Sequence, residues 1–318
     1  MVEENRNNSK LNKILNFFMN EKIEFVELTF IEKHNNNYVA LKPNLSSRII
    51  IDELLPAMDL SLSKKFDGKE ITVFDSEANS FNDIPVVELD MVETAKNIIN
   101  TMSSPSHATI KKETMLKNAH CYIISIINKD GEKVHLFKKY SNPKVLTKSL
   151  LFRFSELGNF ENIAEYVISI DDRIDAILHE DDIYIINQYH FENIFNYKDE
   201  YVKLRDEVIS EINESVVSIF SEIESIEIFS EHCKDGRYIR QFNSIKKYKG
   251  VEILKQSINQ LPQIIDDFDL IISLDDNGLI KYESKESLSD MLKLLSGKFV
   301  YTALNKKPTE AIGFRILK

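Results

Sequence analysis

The sequence predicts an α+β fold in two domains, with mixed sheets and a long amphipathic helix in the second. Three observations predict it. Strand-like and helical segments alternate without a fixed repeat, 318 residues exceed one typical domain of roughly 100–200, and Ser103-Ser104-Pro105-Ser106 reads as a linker. The domains are expected at 1–104 and 108–318.

Apolar spacing at Leu11, Ile14, Leu15 and Phe18 predicts a helix over 9–22. Phe25 to Phe30 and Tyr38 to Leu41 flank an Asn-rich turn and read as a hairpin, followed by a strand at 70–74 and a helix over 91–102. Ala119 to Ile127 and Lys133 to Phe137 are joined by Asn128-Lys129-Asp130-Gly131, whose Asp-Gly favours a tight hairpin. Strands at 174–178 and 183–187 and a short helix at 191–195 follow. From 201 to 228, Ile209, Ile212, Val216, Ile219, Ile223 and Ile226 step by three and four, which predicts a long helix with a packing seam. The seam suits an intramolecular core first and a homodimer contact second. Helices are expected over 237–249, 251–260 and 286–295, and strands near 270–273, 279–282, 299–303 and 312–317.

Composition excludes several classes. Two cysteines far apart in the chain speak against a disulfide-stapled secreted scaffold and for a reducing, cytoplasmic compartment. No apolar stretch approaches the roughly 18–20 residues of a spanning helix, and the polar start, Met1 to Arg6, lacks the order of an export signal. With eight glycines there is no GxGxxG and no GxxxxGK[ST], and GxSxG and HExxH are also absent. No cofactor is expected.

Net charge is minus 11, but it is segregated. Residues 101–153 carry 10 basic and 3 acidic groups, 154–233 carry 4 and 20, and 234–255 carry 7 and 2. In the first basic block, Lys133, His135, Phe137 and Lys139 alternate along one strand face, and Lys138, Lys144, Lys148 and Arg153 extend it. In the second, a helix beginning at Arg237 would align Arg237, Arg240, Ser244 and Lys247, and Lys246 and Lys249 belong to the same basic block. Cations grouped in this way suit a polyanion, because each neutralised phosphate releases counterions and aromatics stack on unpaired bases. The bland reading is a solvated face paired with the acidic block.

Enzyme-like spacings are sparse. Asp269 followed by Glu283-Ser284-Lys285 matches the acid-then-ExK order of metal-dependent nucleases, although ExK is common in a chain this charged. The His120-Cys121 and His232-Cys233 dipeptides are poor chelators, since strand neighbours point to opposite faces. Asp171, Asp172, Asp175, Glu180, Asp181 and Asp182 form an acidic cluster without EF-hand spacing.

The motifs Ile174-Asp175-Ala176-Ile177, Ile183-Tyr184-Ile185-Ile186-Asn187 and Phe191-Glu192-Asn193-Ile194-Phe195 carry a resemblance. Over residues 108–250 the chain resembles the KwaB family, the soluble component of the two-protein Kiwa anti-phage defence system. The resemblance implies an interference factor that binds DNA and carries over no catalytic residue; the Lys/Arg patches are expected to grip the DNA backbone largely without sequence preference. It implies a KwaA-like integral membrane protein as partner, a homodimer in a membrane-associated complex, and a block on phage DNA replication and late transcription. The motifs look structural, so the expected DNA contacts come from charge alone: Lys138, Lys139, Lys144, Lys148 and Arg153 in one patch, Arg237, Arg240, Lys246, Lys247 and Lys249 in the other. The alternatives are a metal-dependent nuclease using Asp269, Glu283 and Lys285, and an acidic protein-interaction module at 171–231.

Overall fold

Apolar residues run almost unbroken from Cys121 to Ile127, a pattern that suits a strand covered on both faces. A computed structural model describes residues 10–19, 22–35, 37–77, 82–104, 108–110, 113–116, 118–140, 152–154, 160–162, 170, 172–214, 219–303 and 306–311. In it these residues form β6 (Ala119–Asn128), an interior strand of a nine-stranded mixed sheet. The chain separates into two compact units, residues 1–73 with 82–197 and residues 74–81 with 198–318.

The sheet belongs to the first unit. Its other strands are β1 (Ile23–His34), β2 (Asn37–Lys42), β3 (Glu70–Val73), β4 (Asp83–Glu88), β5 (Ala108–Thr109), β7 (Lys133–Lys139), β10 (Ala176–His179) and β11 (Asp182–Ile185). They lie in the order β3-β4-β11-β10-β7-β6-β1-β2-β5, with β3–β4 and β2–β5 parallel and the other pairs antiparallel. A separate small hairpin joins β8 (Phe152–Phe154) to β9 (Phe160–Asn162).

The division expected at 104–108 falls within this sheet. Helix α4 (Glu93–Ser103) ends there, and the chain rejoins the sheet at once through β5, where Leu41 pairs with Ala108. A serine–proline segment interrupts secondary structure whether or not a domain ends, so composition alone could not separate the two cases.

Periodicity sets the two covered faces. Val26, Leu28 and Phe30 of β1, Tyr122, Ile124 and Ile126 of β6, and Val134 and Leu136 of β7 point to one side. They are covered by Leu11, Ile14 and Phe17 from α1 (10–16) and its following turn, and by Leu55, Met58, Leu62 and Phe66 of α3 (Leu55–Phe66). That last helix continues from α2 (Ser47–Ile49) through a π-helical turn, Ile50–Leu54, and Pro56, which has no N–H to donate, sits directly after that turn. On the other side α5 (Gln188–Ile194) lies on β7, and Phe137 meets Phe195 with ring centroids 5.0 Å apart.

The expected hairpins form for local reasons. Between β6 and β7, Asn128 Oδ1 accepts from the amides of Asp130 and Glu132, and Gly131 takes φ +80°, which a side chain would strain. Between β10 and β11 the pairing runs from Ala176–Ile185 to His179–Asp182.

One buried carboxylate joins these pieces. Asp175 is 2% exposed, and its Oδ2 accepts from the Lys139 amide at 2.8 Å. Its Oδ1 lies 2.8 Å from His190 Nδ1 and 3.4 Å from Lys138 Nζ. Its carbonyl accepts from the amides of Ile186 and Asn187, and Asn187 in turn caps α5 through the His190 amide.

The second unit is mainly helical: α6 (Lys198–Asn213), α7 (Ile223–His232), α8 (Gln241–Lys247), α9 (Gly250–Gln256), α10 (Leu261–Phe268) and α11 (Leu288–Leu295). Two short hairpins accompany them, β12 (Ser273–Leu274) with β13 (Ile280–Lys281) and β14 (Phe299–Tyr301) with β15 (Pro308–Glu310). The strand expected at 312–317 lies outside the described residues.

The helix predicted across 201–228 is divided. Helix α6 ends at Asn213, and Phe220 makes a parallel bridge to Ile280 before α7 begins. The Ser221 amide donates to the Ile280 carbonyl and the Ile280 amide to that of Ile219, which competes with helical pairing in a stretch rich in Ser and Val. The predicted seam breaks with it: Ile212 and Ile219 are buried, Ile223 is 76% exposed, and Val216 lies outside the described residues.

Gly250 opens α9 against α11, where a Cβ would fall 1.7 Å from the Leu295 carbonyl oxygen. Gly250→Ala is expected to destabilise the protein by about 1–3 kcal/mol or more through overpacking. Asp175→Ala should cost about 3–5 kcal/mol, since it leaves a buried cation and an amide without their acceptor. Urea unfolding followed by circular dichroism measures both, the chain having no tryptophan; equal midpoints for wild type and Asp175→Ala would refute the latter.

Candidate nucleic-acid interface

In the first unit, burial and pairing absorb much of the predicted basic patch. Lys138 sits 3.4 Å from Asp175, and Lys139 is half-buried, donating to the His120 carbonyl at 2.9 Å with its Nζ 3.1 Å from His120 Nδ1. Burial and the nearby Lys33 charge pull Lys139 below the ordinary lysine range. Lys144 and Lys148 lie outside the described residues, and Arg153 is placed only by its backbone, in β8.

The alternating face predicted on β7 is not a cationic platform. Phe137 is fully buried under Phe195 and has no free ring face for a base. His135 pairs with the Ser125 hydroxyl at 2.8 Å and is pushed down to about 4, by burial first and by Lys133 second, so it is uncharged at neutral pH.

The second unit holds the other patch, centred on α8. The helix begins at Gln241 rather than Arg237, because Asp235 caps a separate 3-10 turn, Gly236–Tyr238, through the Arg237 amide. Asp235 also grips the Arg237 guanidinium, with Nη2 2.7 Å from Oδ2, and takes Lys285 at 2.9 Å. Those two hydrogen-bond partners hold its carboxyl far below the usual range. Lys246 pairs with Glu207 at 3.1 Å and Glu211 at 2.5 Å on α6. Arg240 and Lys249 are exposed, and Lys249 adopts φ +53° just before α9.

Lys247 and Ser244 face a carboxylate that sequence reading missed. The segment Phe74–Phe81 belongs to the second unit, and Asp75 lies 3.6 Å from Lys247, which also sits over the Tyr248 ring. Ser244 Oγ donates to Asp75 at 2.7 Å and Tyr248 Oη at 2.9 Å. Burial pushes the Asp75 carboxyl up, but the Ser244 hydroxyl, the Glu77 amide, the Lys247 charge and the Tyr248 hydroxyl together outweigh it and hold it below its ordinary value. The partners lie 169 and 173 positions apart, and no local signal foretells such a contact.

The nuclease-like residues are engaged separately. Glu283 pairs with Lys281 at 2.6 Å and Lys285 with Asp235, while Asp269 ends α10 at φ +52°. Among the described residues no three His, Cys, Asp or Glu side chains converge to hold a metal ion. The two His-Cys pairs fall in different units, and burial pushes both thiols up to about 12. His120 Nε2 meets the Ile194 carbonyl, and His232 Nδ1 meets Tyr282 Oη. Of the acidic cluster, Asp182 pairs with Lys10, Glu180 with Lys13, and Asp171 lies outside the described residues.

Residues 116–305 match the family model described as Kiwa protein KwaB-like, and the chain belongs to that family. It is thereby a component of Kiwa anti-phage defence. No curated protein and no solved structure matches the chain. The three sequence motifs of the resemblance fall on the Asp175 junction: its own strand, the strand leading to Asn187, and helix α5.

Neutral His135 gives a pH prediction. The unfolded chain takes up this proton near 6.5 and the folded one only near 4, so the contribution is complete above about 6.5 and is lost as pH falls toward 4. The loss is on the order of 3 kcal/mol at full protonation. Urea midpoints at pH 7 and 4.5 should differ less in His135→Gln than in wild type; an equal difference would reject the assignment.

Proposed function

We propose that this KwaB-like chain binds DNA largely without sequence preference. It works with a KwaA-like integral membrane protein to block phage DNA replication and late transcription. The observation that carries the reading is the corner formed by the 3-10 turn, α8 and the start of α9. There Arg237, Arg240 and Lys249 are exposed within a segment holding seven basic and two acidic residues. Backbone contacts of this kind position a protein on DNA without reading base edges. Lys138, Lys139, Lys144, Lys148 and Arg153 are proposed as a separate patch of the first unit, and Lys246 and Lys247 lie beside the exposed corner.

The same reading includes a homodimer and peripheral attachment to the membrane. No helix among the described residues is long and apolar enough to cross a bilayer, so the proposed attachment runs through the partner. Binding is local in character, because net charge of minus 11 opposes long-range attraction. The proposed action is occupancy rather than cleavage.

Arg240→Glu combined with Lys249→Glu tests it. Affinity for a short duplex should fall by about tenfold or more, and the slope of log affinity against log salt should flatten by roughly two contacts. Incubation with plasmid and Mg²⁺ or Mn²⁺ runs alongside, and retardation without cleavage is expected. An unchanged affinity and slope in the double variant would overturn the surface, and cleavage lost in Lys285→Ala would replace it with nuclease chemistry.

A further inference from the structure

Residues 74–77 bring the Asp75 carboxylate to the basic block of the second unit. Asp75 is 6% exposed and surrounded by donors alone: the Ser244 hydroxyl at 2.7 Å, the Tyr248 hydroxyl at 2.9 Å, the Glu77 amide at 3.0 Å and the Lys247 ammonium at 3.6 Å. Two hydroxyls, a backbone N–H and an ammonium around an anion are also the donor set that receives phosphate oxygens.

The rest of the segment is fastened to the same helix. The Ser76 amide donates to Asn243 Oδ1 at 3.1 Å, and the Ser76 hydroxyl donates to the Arg240 carbonyl at 2.8 Å. Glu77 Oε1 lies 3.0 Å from Lys298, while its buried Oε2 has no hydrogen-bond partner among the described residues. A buried acceptor left unmatched weakens the seating of this strap. Asp75 holds tightly and Glu77 incompletely, which is the arrangement of a fastening that a competitor can displace.

We propose that Asp75 is an internal phosphate mimic. It fills the Ser244–Lys247–Tyr248 face of α8, and DNA takes that face only when residues 74–77 are displaced. This rests on the DNA-binding reading above and adds its regulation. With the strap seated, the exposed Arg237, Arg240 and Lys249 of this corner meet the duplex, and with it released Lys247 joins them.

Hydrogen exchange on the wild-type protein, with and without a short duplex at low salt, tests the proposal directly. Bound DNA should accelerate exchange at the Ser76 and Glu77 amides, whose acceptors lie within the latch. Asp75→Asn should bind the same duplex about tenfold more tightly, with a salt slope steeper by roughly one contact. Tyr248→Phe keeps the carboxylate and removes one hydrogen bond to it, so a smaller gain is expected if Asp75→Asn does not fold. Unchanged or slowed exchange with DNA bound overturns the strap, and so does unchanged or weaker affinity in the folded variants. In either case, continued sensitivity to Arg240→Glu/Lys249→Glu leaves the DNA reading intact. Failure of both wild type and Asp75→Asn to bind duplex at any salt removes that reading, and the inference with it.

Discussion

A carboxylate shut away from water must find donors, and Asp175 finds them on two elements at once. The Lys139 amide on β7, the His190 ring on α5 and the Lys138 ammonium converge on its two oxygens, while its carbonyl receives the chain as it leaves β11. Burying such a charge is costly unless every partner is present, so the arrangement penalises any other register of β7 against β10. Phe137 can then meet Phe195, and the interior face of the sheet closes beneath α5. The residues that carry the family resemblance fall on this junction.

The same rule governs the surface charges. Cations that look like a free stripe on a helical wheel are paired one by one: Arg237 by Asp235, Lys246 by Glu207 and Glu211, Lys247 by Asp75. A segment count of charge describes the reservoir of cations, and their exposure decides how many are ready to meet a phosphate. Arg237, Arg240 and Lys249 are exposed on this corner, and the ion pairs there raise the threshold for any polyanion.

What could be read from sequence was local. Asp130-Gly131 marked the β6–β7 hairpin, the Asn-rich turn marked β1 and β2, and the mixed order of elements implied the α+β class. What could not be read was long in sequence. The parallel pairing of β3 with β4 encloses a segment that belongs to the other unit, and nothing within 74–81 signals that displacement. The break after Asn213 was hidden because isoleucines at helical spacing also serve an extended stretch bridged to Ile280. Of the candidate site, the basic residues were visible and their carboxylate partners were not, since Asp75 and Ser244 stand 169 positions apart.

The insertion of residues 74–81 into the second unit has a consequence for biosynthesis. The ribosome makes this piece of the helical unit more than a hundred residues before the rest, so Asp75 must await Ser244 and Tyr248. A fragment cut at the family boundaries, 116–305, would lack both the strap and β1 to β4. Its α8 would present two hydroxyls and an ammonium deprived of their native acceptor. The recombinant half-molecule would thus differ in charge and cohesion from the unit it is meant to isolate, and a permuted chain carrying 74–81 in tandem with 198–318 would be the smaller faithful version.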